Sequence, residues 1–393
     1  MELRAEAKRM THIPFSGIRQ VFEVANRLRK AGKPIINLGI GRPDFDTPQH
    51  IKDAAIEALN NGEVHYTSNY GMDGLIEAVQ EKLRRDNRVH VAKDEIIITV
   101  GANQAVLLAM MAVLDPGDEV LVPNPAWLHY FYCAELAGAT SVSYPVQEEN
   151  AFNVDPNEVE KRITPKTKML VVNTPHNPTG SVLTKSVLEK LAALAKQYNL
   201  LVLSDEIYEK LLYDDSVHVS MASLPGMKDR TFIVNGFAKA YSMTGWRIGF
   251  VAGPKQFIDA MIRIHQYTVT CATSFAQRGA EAALRGPQEC VESMRQELDR
   301  RRKLIVDAVK TIDGLSVVQP KGAFYAFINV KQLGMDDEEA ARYYLHEAGV
   351  AMVPGSAFGP NGTGYVRAAF SNSYENIAKA MDKVAAATQK RMT

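Results

Sequence analysis

The sequence predicts an α/β protein built on a large, doubly wound, mostly parallel sheet, with a smaller α+β unit beside it. Three observations carry this. Short apolar runs rich in β-branched residues, EIIITV, EVLVPN, SVSYPV, KMLVVNT, LLVLSDE, TFIVNGF and IGFVAG, recur between residues 95 and 253, and strands of that kind are covered on both faces. Helical stretches of roughly ten residues or more separate most of them, as the crossovers between parallel strands require. After Gly286 and Pro287 the pattern changes to a long charged helix, short strands around AFYAFINV, AMVPG and YVRAAF, and two more helices.

Taken in order, residues 16 to 31 come first. They place Ile18, Val21, Phe22, Ala25 and Leu28 on one helical face, with Ser16 as N-cap and Gly32 as the stop. A lone amphipathic helix must bury that face, and chain ends often lie close together, so its expected companion is the C-terminal unit. The division is therefore a large domain over residues 47–285 and a small one over 1–46 and 286–393. A chain of 393 residues is long enough for two or three domains. The Arg-Arg-Arg run at 300–302 sits among acidic residues on a helix and reads as a solvated face. There is no internal repeat.

Acidic and basic residues number 45 each and are mixed along the chain, which leaves no field to attract nucleic acid or an anionic membrane. A small molecule is the expected partner. The three cysteines, Cys133, Cys271 and Cys290, form no C-x-x-C pair and argue against a disulfide framework or a structural zinc. A reducing cytoplasm is expected, because MELRAEAKRM lacks the apolar core of a leader and no stretch reaches membrane-span length. No metal site is expected.

Ligands of open α/β sheets sit beyond the carboxyl ends of the strands. After EIIITV, Gly101, Ala102, Asn103 and Gln104 open an apolar helix, whose free N–H groups suit an anion, although small residues there also serve close packing. LLVLSDE ends in Asp205, with Tyr208 three residues on, and NTPHNPTG carries Asn177 between turn-making residues. A strand-end carboxylate is also an ordinary helix cap. Lys239 directly follows a buried strand, and a desolvated, neutral amine is what Schiff-base chemistry requires. Nearby Arg247 offers a fork for phosphate oxygens.

With GxGxPDFDTP-like GIGRPDFDTP, NPTG, SDEIY, KAYSMTGWRIG and VRAAFS in this order, the chain resembles the class I and II aminotransferases of the pyridoxal phosphate (PLP) superfamily called fold type I, over nearly its whole length. The resemblance implies that Lys239 holds PLP as a Schiff base and shuttles the proton between the substrate's α-carbon and the cofactor. It implies that Asp205 pairs with the pyridine nitrogen, and that Tyr208 and Asn177 hydrogen-bond the ring oxygen. Trp127 would stack on the ring, while Gly101, Ala102, Asn103 and Arg247 would hold the phosphate. Tyr66 would reach the phosphate of a neighbouring subunit, making the active unit a homodimer. Arg367 would clamp the substrate α-carboxylate, with the backbone N–H of Gly41 beside it. The reaction implied is ping-pong transfer of an amino group from an aspartate, aromatic or broader range of L-amino acids to a 2-oxo acid such as 2-oxoglutarate.

Two departures stand out. Many relatives carry serines one and three positions before the lysine, where Ala238 and Gly236 stand here, and the arginine with which the aspartate-specific branch reads a distal carboxylate is missing from TVTCATSFAQ. Phe15 and Ile18, in the N-terminal segment, would favour an apolar or aromatic side chain if they close over the substrate, or would simply pack the small domain. A C–S β-lyase would use the same lysine. A regulator with an aminotransferase-like sensor would need a DNA-binding module, for which the N-terminal residues are too few and not basic. A nicotinamide dehydrogenase would need a G-x-G-x-x-G between strand and helix, which is absent.

Overall fold

The computed structural model describes residues 6–392. Residues 1–5, the start of the MELRAEAKRM stretch, and Thr393 lie outside the described residues. After a short 3₁₀ helix (Lys8–His12) come a helix α1 (Gly17–Lys30) and a short strand β1 (Ile36–Asn37), followed by α2 (Gln49–Asn60) and α3 (Asp73–Lys82). The apolar runs then form β2 (Ile96–Thr99), β3 (Glu119–Asn124), β4 (Thr140–Pro145), β5 (Thr167–Asn173), β6 (Leu201–Asp205), β7 (Thr231–Gly236) and β8 (Gly249–Ala252).

These strands make one seven-stranded sheet in the order β2-β8-β7-β6-β5-β3-β4. From β4 across to β7 every neighbouring pair is parallel; β8 alone is reversed, against both β7 and β2. The sheet is covered on both faces, and the period-2 alternation of strand side chains shows it. Met169 and Val171 pack towards the helix α4 (Gly101–Val113), whereas Leu170 and Val172 pack towards the helix Lys185–Gln197. The consequence for function is a single busy edge. The six strands other than β8 all finish there, and β8 starts there, with Gly249 opposite both Gly236 and Thr99.

Beyond the long helix Glu289–Lys310, β9 (Ser316–Val317), β10 (Tyr325–Asn329), β11 (Val350–Ala351), β12 (Val353–Pro354) and β13 (Tyr365–Ala369) follow. Four of them form an antiparallel sheet, β12-β13-β10-β9, while β11 pairs in parallel with β1. The predicted face of α1 is buried here: Val21, Val24, Ala25 and Leu28 pack with Ile35, Leu345 and Ala351, and Ile18 packs against the Phe152, Phe327 and Phe358 group. Two expectations for this helix fail. Phe22 lies at the edge of the stripe and is 38% exposed, Val24 taking its place, and the Ser16 side chain makes no capping hydrogen bond.

The arginine run is also corrected. Arg300 is exposed, but Arg301 and Arg302 are buried. Arg302 pairs with Asp214 at 2.8 Å and Asp299 at 2.7 Å, and donates to the Pro320 carbonyl at 2.8 Å. Arg301 reaches Asp44 at 2.6 Å and Glu297 at 2.8 Å while its guanidinium lies over the Phe45 ring. Leu298 and Ile305 are both buried on this helix. Arg302 stands four residues after the first and three before the second, and so shares their stripe. Charge concealed what helical spacing shows. Arg302→Ala is expected to cost about 2 kcal/mol in urea unfolding, because it empties the space the buried side chain fills and leaves the Pro320 carbonyl without its donor, whereas Arg300→Ala should stay within about 0.5 kcal/mol.

Candidate active site

A cavity of about 300 Å³ opens between the busy edge of the large sheet and the small sheet. It collects Gly41, Ala102, Asn103, Trp127, Asn177, Asp205, Tyr208, Lys239, Arg247 and Arg367 from segments far apart in sequence. Most arrive from a strand end. Trp127 follows β3, Asn177 follows β5, Asp205 closes β6 with Tyr208 in the next turn, Lys239 follows β7, and Arg247 precedes β8. Arg367 comes from the middle of β13, held between Phe327 and Val353.

Lys239 is half-buried, and its Nζ donates to the Gly41 carbonyl at 2.7 Å. Its ammonium has no carboxylate partner among the described residues. Desolvation, with the charges of Arg367 and Arg247 adding to it, pushes its pKa down to about 8. A primary amine in that range is partly free of its proton near neutrality and can act as a nucleophile and a proton carrier.

Asp205 is the one carboxylate on the cavity wall, and burial pushes its pKa up to about 6. Two donors oppose that push: the Tyr130 hydroxyl, at 2.6 Å from Oδ2, and the Ile207 amide, at 3.1 Å from Oδ1. Asn173 ties the Asp205 carbonyl to β5 at 3.1 Å. Tyr208 shares a 2.7 Å hydrogen bond with the Tyr325 hydroxyl, and burial raises its pKa well above the ordinary value.

The two arginines differ in setting and agree in lacking an acid. Arg367 is buried, donates to the Asn177 Oδ1 at 2.9 Å and the Gly39 carbonyl at 2.7 Å, and leaves its Nε without a partner. Its guanidinium is sandwiched by the rings of Tyr325 and Phe358, at 4.3 and 4.6 Å. Arg247, in a left-handed backbone conformation, bonds only the Thr244 carbonyl among the described residues and lies over Gly101, where an added Cβ would fall 2.5 Å from its guanidinium. Gly101 (φ +73°) starts α4, so the first amides of that helix and the Arg247 fork face one place. With Arg42 also on the wall, four basic groups against one acid make the cavity a receptor for anions.

Not every expected residue is in the wall. Gly101 sits just behind it, and Tyr66 is 87% exposed, away from this chain's own cavity. Of the N-terminal pair, Ile18 lines the cavity, whereas Phe15 is 91% exposed and does not. The expectation that Phe15 reaches the substrate is therefore dropped.

Residues that sequence reasoning missed include Tyr130, Asn173, Arg42, Thr244 and Tyr325. Tyr325 is the most consequential, since it anchors Tyr208, supports Arg367 and fills the space that a side chain at Gly41 would need. Its only signal was an aromatic in a short strand. Behind Asp205, Glu206 accepts from Ser204, Ser220, Asn87 and His218, while Lys82 pairs with Glu209. The triad Glu206, Glu209 and His218 has the donor set of a metal site, but the Lys82 ammonium already supplies the cation.

The chain matches the family described as aminotransferase class I and II over residues 33–384. It is 47% identical over 383 residues to an aspartate aminotransferase of Pyrococcus abyssi, and 44% identical over 383 residues to an aromatic-amino-acid aminotransferase of Thermococcus litoralis, covering 97% of both chains in each case. Among solved structures, the aspartate aminotransferase of Thermus thermophilus with maleate superposes with a TM-score of 0.94 at 41% identity, over 98% of this chain and all of that one.

The charge pattern of the cavity has a measurable signature in the ligand-free protein. The folded pKa of Lys239, about 8, lies below its ordinary 10.5, so between those values the unfolded chain binds more protons and stability rises with pH. Asp205, raised from 3.8 to about 6, acts oppositely, and its contribution falls as pH rises through that interval. In urea titrations the wild type should gain on Lys239→Met from pH 8 upwards; a constant difference would mean that the amine is not desolvated.

Proposed function

The chain belongs to the class I and II aminotransferase family, a PLP-dependent transaminase of fold type I, and from that premise we propose which of its residues run the reaction and what it acts on. The observation that carries the assignment is the cavity's charge: one buried acid, Asp205, faces a depressed lysine and two arginines without carboxylate partners. Those arginines suit a phosphate at one and a carboxylate at the other.

The residues fit the cofactor. The amides of Gly101, Ala102 and Asn103 with Arg247 would take its phosphate, Trp127 would lie against the ring, and Asp205 would keep the ring nitrogen protonated. Tyr208 and Asn177 would hydrogen-bond the ring oxygen; the Asn177 amide nitrogen is free to do so, its Oδ1 being engaged by Arg367. Bound there, PLP supplies an aldehyde for amino groups to condense with and a cationic pyridine that withdraws electrons from the substrate α-carbon. Lys239 takes the proton from that carbon and returns it, a role its depressed pKa serves near neutral pH. Arg367, immobilised by two hydrogen bonds and two rings, fixes the α-carboxylate with the Gly41 amide alongside, which orients the bond to be broken.

For the donor, we infer a range that spans acidic and aromatic amino acids, with 2-oxoglutarate as an acceptor. Ile18 gives the wall an apolar patch, and Arg42, on the same wall, has no hydrogen bond or ion pair among the described residues. It offers a distal carboxylate the cation that TVTCATSFAQ lacks. The relatives' names, aspartate and aromatic, and the dicarboxylate maleate in the Thermus structure support that breadth.

The division into domains 47–285 and 1–46 with 286–393 is supported by the separate sheets and would set the cavity between the two units. A homodimer with Tyr66 completing the partner's site is supported by the exposure of Tyr66 and of Tyr267, each 87%. A reducing cytoplasm suits three unpaired cysteines; no helix among the described residues is long and apolar enough to cross a membrane.

A panel of amino donors against 2-oxoglutarate tests the substrate range, and turnover confined to either acidic or aromatic donors would defeat it. Borohydride reduction of the holoenzyme should leave the pyridoxyl tag on the peptide containing Lys239. Arg367→Ala should cut kcat/KM for every donor by roughly 100-fold or more, the scale of a lost buried ion pair. By contrast, Arg42→Ala should lower it for aspartate by about tenfold and leave phenylalanine unchanged. If Tyr66 serves the partner, mixing inactive Tyr66→Ala and Lys239→Ala chains should restore activity in the hybrid, because one of its two sites is then intact.

A further inference from the structure

Tyr130 has no part in the scheme above, yet it makes the shorter of the two hydrogen bonds to the site's buried acid. Its hydroxyl lies 2.6 Å from the Asp205 Oδ2, with the Ile207 amide at 3.1 Å from the other oxygen. The residue is 1% exposed and stands in the first turn of the helix α5 (His129–Leu136). Its amide bonds the Trp127 carbonyl at 3.2 Å, and its ring meets the indole edge-on at 5.5 Å. The same turn that presents Trp127 to the cavity therefore aims a phenol at Asp205.

We propose that Tyr130 is a positioning residue: its hydroxyl keeps Asp205 ionised and pointed at the pyridine nitrogen of the cofactor. The proposal rests on the reading of Asp205 as that nitrogen's partner. For the ring to stay cationic, the carboxylate facing it must remain the weaker base. Burial works against this, and so does the neighbouring charge of Glu206. An O–H donor on a carboxylate at this distance is charge-assisted and favours the ionised form. Of the two donors only the phenol is a side chain, so it alone is open to variation. Burial and the charge of Asp205 raise the Tyr130 pKa well above its ordinary value, so the phenol keeps its proton and remains a donor at working pH. Its hydroxyl has no other partner among the described residues.

The test uses holoenzyme carrying PLP isotopically labelled at the ring nitrogen, with the nitrogen chemical shift and the pH of the lysine-bound cofactor's colour change as readouts. In Tyr130→Phe the nitrogen signal should move towards that of neutral pyridine, and the colour change should move upwards by about one pH unit, because a less cationic ring holds the imine proton more tightly. Tyr144→Phe is the control. That tyrosine is equally buried and donates to the Val171 carbonyl at 2.8 Å instead of to Asp205, so its loss should leave both readouts in place. Asp205→Asn separates the two levels of the claim. If it shifts the nitrogen signal while Tyr130→Phe does not, the positioning role is overturned and the reading of Asp205 stands; if neither shifts it, that reading falls as well. Equal shifts in Tyr130→Phe and Tyr144→Phe would also overturn the proposal. Should Tyr130→Phe not fold, fluorotyrosine at the same position keeps the shape with a more acidic phenol. It should move the colour change downwards, and an unmoved colour change overturns the role.

Discussion

The arrangement turns on a charge imbalance whose centre, Arg367, is held out of water. Lys239, Arg247 and Arg367 border a cavity whose wall has a single carboxylate, and Arg367 is buried without any acid beside it. Removing a guanidinium from water costs several kcal/mol, on the order of the stability of a small domain, unless hydrogen bonds and an anion offset it. Two hydrogen bonds and two aromatic faces offset part of that cost here. The rest is returned when a carboxylate enters. The same imbalance lowers the lysine pKa, so one constraint both recruits the anionic ligands and prepares the amine that acts on them.

Architecture serves that constraint. A parallel sheet gathers its strand ends on one edge, and here the edge brings together residues separated by more than a hundred positions in sequence. Reversing β8 matters because it brings Arg247 to the strand's beginning instead of its end. The antiparallel sheet then supplies Arg367 from the middle of a strand, where hydrogen bonding on both sides fixes its backbone. Lining residues on each sheet mean that the cavity exists only when the two pack together.

Much of this was legible in the sequence, for reasons that can be stated. Buried parallel strands are continuous apolar runs, so the central sheet could be read from EIIITV to IGFVAG, and strand ends could then be searched for polar side chains. Lys239, Asp205 and Asn177 stood out because each interrupts or follows such a run. Tyr130 and Tyr325 did not, because a tyrosine in an aromatic helix such as HYFYC, or in a strand, looks like core until its hydroxyl has a partner. Arg301 and Arg302 failed in the opposite sense. Their charge suggested water, whereas their partners, Asp44 and Asp214, come from segments far away in sequence. Pairing across such distances leaves no local mark.

The departures before the lysine follow from contact geometry. At Gly236 an added Cβ would lie 3.0 Å from the Gly249 Cα and 3.1 Å from the Ile248 carbonyl, so the close approach of β7 and β8 leaves little room for a serine. Gly249 is pressed in turn against the start of α4, where a Cβ would fall 2.7 Å from the Ala102 amide nitrogen. This tight stack sets the helix N-terminus directly above the strand that delivers Arg247. A phosphate shell made of backbone amides and one guanidinium needs no hydroxyl at position 236, because dipoles fixed by packing do not have to be ordered when the anion arrives. Ala238, by contrast, lines the cavity itself. The two missing serines thus differ in place: the first is opposed by the sheet itself, and the second would stand on the cavity wall.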